Sequence, residues 1–312
     1  MAEAVVEARP RGRRWIDIFE RPGFLASVLI SPAVVFITAL VGAPLALAVY
    51  LSFTNSTAGS LHGKFVGLHN FRHEWHEAAF QHAVWHTFLF TVISQAAVLI
   101  GAGLLAHALI RPFRGRWILR FLILLPWAAP IALSLMAWTW IFDTTYSVIN
   151  WTLIHLHLVD PISPPQWLAQ PHLAMGSVIF VHAWRILPFA TVIFLAGIAS
   201  IPKEVDDAAA IDGATGLRKF WYVTLPLQLP IATVALLFGI VFTATDMVVV
   251  YILTNGGPPP SNSTEQITTW AYKIGIESGS LGEGAAISLF LLPVLATMAV
   301  LMLLFARRVE VS

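Results

Sequence analysis

The chain has 312 residues, 57% of them hydrophobic and only 11% charged, with a mean hydropathy of +0.76. Soluble domains carry roughly 25% charged residues, so a water-soluble fold is excluded. A net charge of +1 points to neither nucleic acid nor an acidic ligand, and the absence of cysteine excludes disulfides, thiolate metal sites and a cysteine nucleophile.

Arg9, Arg11, Arg13, Arg14 and Arg21 precede the first apolar run, Leu25 to Phe53. That run is too long for the core of a signal peptide and lacks a small-residue cleavage pattern after it, so it predicts a retained membrane helix. A helix crossing about 30 Å of hydrocarbon needs about 20 apolar residues. Five further segments qualify: Val84 to Ile110, Trp117 to Phe142, Leu173 to Ile198, Leu227 to Leu253 and Ala285 to Ala306. The expected fold is an all-α integral membrane protein of six transmembrane helices. It divides into an N-terminal segment 1–24, one membrane domain 25–306 and a tail 307–312.

Basic residues set the orientation. The N-terminal arginines, Arg111, Arg114, Arg116, Arg120, Lys203, Arg218, Lys219, Arg307 and Arg308 all fall on one side of this plan. Only Lys64, Arg72 and Lys273 fall in loops on the other, a bias that puts both termini in the cytoplasm. The outer loops 54–83 and 143–172 are rich in Pro, His and Trp and suit short interfacial helices. His69, His73 and His76 have helical spacing, with His62, His82 and His86 nearby, but no acid completes a zinc site and no metal is assigned.

Polar residues inside a span face a bundle interior or a watery cavity. In the fourth span His182, Arg185 and Phe189 recur at i, i+3 and i+7, beside Trp184 and Ile186, and Pro188 is placed to kink the helix. In the fifth, Gly239, Thr243 and Asp246 recur at i, i+4 and i+7, with Val248 beyond them. These two faces are the candidate substrate pathway; the other reading is that Arg185 and Asp246 only pair and hold the bundle together. Trp138 and Trp140 point opposite ways on a helix, so at most one lines a path.

Between these spans lies the hydrophilic loop 202–226, in the stretch IPKEVDDAAAIDGATGLRKFWYVTLPLQLP. A helix starting after Pro202 gains from Glu204, Asp206 and Asp207 near its positive end. Ala208, Ala209 and Ala210 continue it, Gly213 offers a turn, and Pro226 restarts the backbone at the membrane edge.

The spacing Asp207-Ala208-Ala209, three residues, Gly213, nine residues, Val223-Thr224-Leu225-Pro226 resembles the signature of the permease subunits of binding-protein-dependent ABC importers. That signature reads Glu-Ala-Ala, three residues, Gly, nine residues, Ile, any residue, Leu-Pro. Asp207 stands here for Glu and Val223 for Ile. The resemblance implies the type I importer permease fold. It makes the stretch from Glu204 to Gly216 a coupling helix that docks on a separate ATPase subunit, through Glu204, Asp207, Ala208, Ala209, Asp212, Gly213, Leu225 and Pro226.

Tyr251-Ile252-Leu253-Thr254-Asn255-Gly256-Gly257-Pro258 is similar to the maltose-type carbohydrate branch of that family. So are LLPWAAP, the stretch Trp138 to Phe142 and Asn150, with Ser147 where a glycine is usual. This implies a sugar or sugar-like solute, with hydroxyls meeting Asp246 and Arg185 and a ring face meeting Phe189 or Trp184. The implied partners are a second permease, two ATPase subunits that hold ATP and Mg, an extracytoplasmic solute-binding protein and the lipid of the bacterial inner membrane.

The chain has no Gly-x-x-x-x-Gly-Lys loop for ATP and no hydrolase motif, so it is expected to be no enzyme and to hold no cofactor. Two rival readings are a proton-coupled transporter using Asp246 and His182 as a relay, and a magnesium-dependent transferase using Asp206, Asp207 and Asp212.

Overall fold

The structure, a computed structural model, describes residues 22–257 and 262–311. The N-terminal arginines through Arg21, and Pro258 of the Gly-Gly-Pro loop, lie outside the described residues. The described chain is helical throughout, apart from loops and two isolated bridges, Thr54 to Phe65 and Thr57 to Ser60.

α1 (Pro22–Ile37), a π-turn (Thr38–Gly42) and α2 (Ala43–Ser52) follow one another directly, and Phe24 to Ser52 of this stretch forms the first span. The short α3 (His69–His76) lies in the following loop, and α4 (Ala78–Ile110) forms the second span. Next come α5 (Arg116–Ala128), α6 (Ile131–Ile141) and α7 (Val148–His155). The fourth span is α8 (Pro171–Ala199). The connecting loop holds α9 (Lys203–Ile211) and α10 (Gly216–Lys219). A π-turn (Phe220–Thr224) leads into α11 (Leu225–Ala244), which is followed by α12 (Met247–Thr254). The chain closes with α13 (Ile267–Tyr272), a π-turn (Lys273–Glu277), α14 (Leu281–Leu289) and α15 (Leu291–Val311).

Two expected spans are broken. The stretch from Trp117 to Phe142 is not one helix: α5 and α6 meet at 99°. Pro130 lacks an N–H and forces Ala129 into extended backbone (ψ 142°), which ends α5. The stretch from Leu227 to Leu253 is also divided, because α11 ends at Ala244 and Asp246 starts a new helix. Gly239 and Thr243 therefore share a helix face, whereas Asp246 lies beyond the end of that helix. Pro226 does not restart the backbone either, since helical structure enters from Phe220 through the π-turn. Pro188 leaves α8 continuous.

The core is built on α4 and α8. Ala102, Ala106 and Ala190 are small enough to bring these helices close, and Val98, Ile186, Phe194 and Ala235 fill the seam. A second cluster joins Phe90 of α4 to Leu135 of α6, Val178 and Val181 of α8, and Val249 and Val250 of α12. A third places Ile267, Ala271 and Ile287 around Phe80. The apolar window of the first span has no buried residue, so this helix offers its surface outward nearly all round.

At the end of the bundle opposite α9, the loops are knotted together. Asn70 donates to the carbonyls of Ser52 and Thr54, both at 2.9 Å. Gly282 N donates to Ser56 O at 3.0 Å, and Trp270 Nε1 to Glu74 Oε2 at 3.0 Å. Burial pushes the Glu74 carboxyl above the usual range, although the Trp270 hydrogen bond opposes this. His69 and His73 stack on one another, and among the described residues no three His, Asp or Glu gather as metal ligands.

Gly282 fits under the backbone of the first loop, where a Cβ would overlap the carbonyl oxygen of Thr54. We predict that Gly282→Ala destabilises the protein by about 1–3 kcal/mol, because the atom it meets is backbone and cannot swing away. Gly103→Ala, which points into open space, is expected to be neutral or slightly stabilising. Thermal unfolding of the two variants in one detergent compares them directly.

Candidate functional site

The buried polar residues of α8 meet those of the α11–α12 break. Asp in a helix interior competes with the helix for its own backbone and is better placed as an N-cap. Asp246 takes that place: its Oδ1 accepts from Val249 N at 3.3 Å, and its Oδ2 is left facing α8. Arg185 donates to that oxygen through Nη2, and His182 Nδ1 lies 2.8 Å from it. Because a carboxylate only accepts, Nδ1 carries a proton.

His182 is wholly buried, with its ring edge-on to Phe90 at 5.0 Å. Its Nε2 is 2.9 Å from Thr243 Oγ1. Thr243 also accepts from Gln95 Nε2 of α4 at 2.6 Å. A continuous polar chain thus runs Gln95, Thr243, His182, Asp246, Arg185 and ties three spans together. Gly239 is needed beside it, since a Cβ there would occupy the position of the Gln95 amide. The Asp246 side chain is 4% exposed and that of Arg185 20%, so the guanidinium forms the open edge of the cluster. Arg185 Nε is buried with no partner in the described structure.

Sequence reasoning placed His182, Arg185, Gly239, Thr243 and Asp246 in one site, and the structure brings all five together. It does not bring the others there. Ile186 is packed in the α4–α8 seam. Phe189 stacks on Trp127 at 5.3 Å and meets Phe238 and Phe242 edge-on. Trp184 meets Trp138 edge-on at 5.3 Å, next to the network rather than in it. Val248 stands exposed on α12. Trp138 is indeed turned inward and Trp140 outward. Gln95, buried beside Ser94 in an apolar helix, is the member of the cluster that sequence reasoning does not find.

The loop after α8 folds as a capped helix. Pro202 precedes α9, and Glu204 and Asp206 occupy its first turn. At the other end Ala214 N donates to Ala209 O at 2.8 Å and Gly213 N to Ala210 O at 3.1 Å. This pair of bonds requires a left-handed residue after the cap, and Gly213 supplies it with φ +72°. The interval from the alanines to the glycine is therefore the length of the last helical turn. Asp206 pairs with Lys219 at 2.8 Å, a surface ion pair contributing about 0–1 kcal/mol. Ala209 is buried, whereas Glu204, Asp207, Ala208 and Asp212 are exposed, as are the large side chains of Ile211, Trp221 and Tyr222 nearby. Leu225 and Pro226 form the first turn of α11.

Helices long and apolar enough to span a bilayer, broken at a buried charged cluster, define a multi-pass helical membrane protein built around a polar path. The family model described as binding-protein-dependent transport system inner membrane component matches residues 97–311, and the chain belongs to that family. It is thus a permease subunit of an ABC importer, located in the inner membrane. Its relatives include the sulfoquinovosyl glycerol permease of Agrobacterium fabrum, 31% identical over 89% of this chain and 88% of that one. The sn-glycerol-3-phosphate permease of Brucella abortus is 30% identical over 90% and 94%. The trehalose/maltose permease of Thermococcus litoralis is 32% identical over 72% and 74%. In fold, the chain matches a chain of a bacterial alginate ABC transporter, solved with an alginate pentasaccharide-bound periplasmic protein. The TM-score is 0.79 over 95% of this chain and 98% of the other, at 20% identity.

Two outcomes are expected from substitutions here. Asp246→Ala removes the partner of Arg185 and the cap of α12 together, which should lower stability by about 3–5 kcal/mol. Adding Arg185→Ala to it should restore part of that loss, as a double-mutant cycle on unfolding in detergent would show. Gly239→Ala should displace the Gln95 amide and break its bond to Thr243. Its effect on transport should then equal that of Gln95→Ala, and the double variant should be no worse than either one.

Proposed function

We propose that this chain lines one half of the pathway by which a sugar or sugar-like solute enters the cell, working against a second, similar permease. The observation that carries this reading is the Asp246 cluster: a charged, hydrogen-bonding edge at Arg185 inside an otherwise apolar bundle, with aromatic rings of Trp184 and Trp138 beside it. Hydroxyls suit the first and a sugar ring face the second. The solutes named for its relatives, a glycosylated glycerol, a glycerol phosphate and trehalose or maltose, support a polyhydroxylated cargo. The cavity of about 560 Å³ between α4, α11 and α15 does not suit such a cargo, since apart from Thr87, Thr91 and Gln95 its wall is apolar, with Phe88, Val92, Leu99, Leu236 and Leu295 among its residues.

In this proposal 1–24 and 307–312 are cytoplasmic, 25–306 is the membrane domain, and the loop 202–226 faces the cytoplasm. α9 seats on one of two ATPase subunits through Glu204, Asp207, Ala208, Ala209, Asp212 and Gly213, with Leu225 and Pro226 fixing the return into the membrane. ATP and Mg belong to those subunits, and a solute-binding protein delivers the cargo from outside. Closure of the ATPases pushes α9 and rocks the spans about the Asp246 cluster.

The test is a bulky group on the exposed face of α9. Ala208→Trp is expected to cut solute-stimulated ATP hydrolysis at least tenfold in the reconstituted complex while both permeases still co-purify. Unchanged hydrolysis would sink the coupling role. Uptake that follows a proton gradient and ignores ATP would overturn the whole reading.

A further inference from the structure

The segment between α6 and α8 has no part in the proposed transport step, yet it is extensively hydrogen-bonded. Ser147 caps α7: its Oγ accepts from Ile149 N and Asn150 N, both at 3.2 Å, and donates to Ile141 O at 2.6 Å. Buried Asn150 uses its whole amide. Its Nδ2 donates to Thr144 O at 3.2 Å and Pro165 O at 3.0 Å, and its Oδ1 accepts from Trp167 Nε1 at 2.8 Å. Asp143 Oδ1 accepts from Thr145 N and Tyr146 N, and Asp160 Oδ1 from Ile162 N.

The large side chains that the fixed loop displays are mostly apolar. Tyr146 is 84% exposed and Ile162 90%, and Val148, Trp151, Leu156 and Leu158 also stand outward. From Thr144 to Val159 there is no Asp, Glu, Lys or Arg. The surface is continuous with the outward face of α6, where Leu133, Met136 and Trp140 are exposed. Tryptophan and tyrosine at the end of such a face have the chemistry of a membrane–water interface, with a ring in the acyl boundary and a polar edge at the headgroups. The other exposed polar groups from Thr144 to Val159 are Thr145, Thr152, His155 and His157, with no Lys, Arg or Glu among them and with Asp143 and Asp160 only at the flanks.

We propose that α7 and its flanks, residues 143–163, form a rigid platform seated in the lipid headgroup region at the end of the bundle opposite α9, with Tyr146, Trp151, Leu158 and Ile162 dipping into the bilayer. The platform is attached to α6, which packs through Leu135 against Val249 and Val250 of α12, next to Asp246. It therefore anchors the corner of the bundle on which the polar cluster is built. This inference does not depend on the identity of the solute.

The cysteine-free chain permits a direct test. Single cysteines replacing Trp151, Leu158 and Ile162, and Lys64 in the first loop as a control, are labelled with a nitroxide. The assembled importer is then placed in phospholipid nanodiscs, keeping only complexes that retain ATP hydrolysis. Collision of the label with oxygen, which concentrates in lipid, is compared with collision with a water-soluble nickel chelate. The platform labels should favour oxygen several-fold and Lys64→Cys should favour nickel. Platform labels as open to nickel as the control would overturn the proposal. So would shielding from both reagents, whether it is present in the importer alone, which indicates the second permease, or appears only on adding the solute-binding protein, which indicates a docking surface for that protein.

Discussion

A single carboxylate, that of Asp246, holds the middle of this molecule together. One oxygen caps α12 and the other receives both Arg185 and His182. Three demands are met by one side chain that is almost entirely out of water. An isolated ion there would be prohibitive to bury, so the fold keeps it only with its partners in place. That requirement fixes the distance of α8 from the α11–α12 break, and Gln95 extends the constraint to α4 through Thr243. The solute path proposed for this chain runs through the same structural keystone, so on that proposal loosening the cluster to admit a solute also loosens the joint between three spans.

The two ends of the bundle differ in how firmly they are held. Opposite α9, buried side chains such as Asn70, Glu74 and Asn150 bind backbone or tryptophan from distant parts of the chain. α9 itself is stabilised locally, by its dipole, its glycine cap and one exposed ion pair. Its exposed acidic and apolar side chains have not been satisfied by the rest of this chain. A helix that is well formed but lightly attached moves as a unit when pushed, which is what the proposed coupling to an ATPase subunit requires of α9.

Much of this was legible in the sequence because the bilayer imposes a simple length rule. Hydropathy found each apolar stretch, although the fifth span runs from Phe220 to Ala244 rather than from Leu227 to Leu253, and the loop between Pro202 and Gly213 declared both ends of α9 through acidic residues, alanines and glycine. The breaks were harder to see. Pro130 and Asp246 sit in stretches whose average hydropathy is that of an uninterrupted span, and an average cannot report one residue that lacks an N–H or caps better than it propagates. Period-based reasoning put Asp246 on the right side of the bundle while giving it the wrong helix. Gln95 was invisible for a different reason: its role depends on the absence of a side chain at Gly239, a relation between two helices that no local pattern contains. Phe189 and Ile186 show the converse, since helical spacing grouped them with His182 although neighbouring helices already filled their space.

The right-angled turn between α5 and α6 bears on how the protein is made. α5 is 13 residues long, and at about 1.5 Å per residue it reaches only part of the way across a bilayer. Pro130 and the extended Ala129 set that turn within the chain itself, so no later segment is needed to impose it. α6 already has its direction when α12 is synthesised, and α12 only has to pack against it.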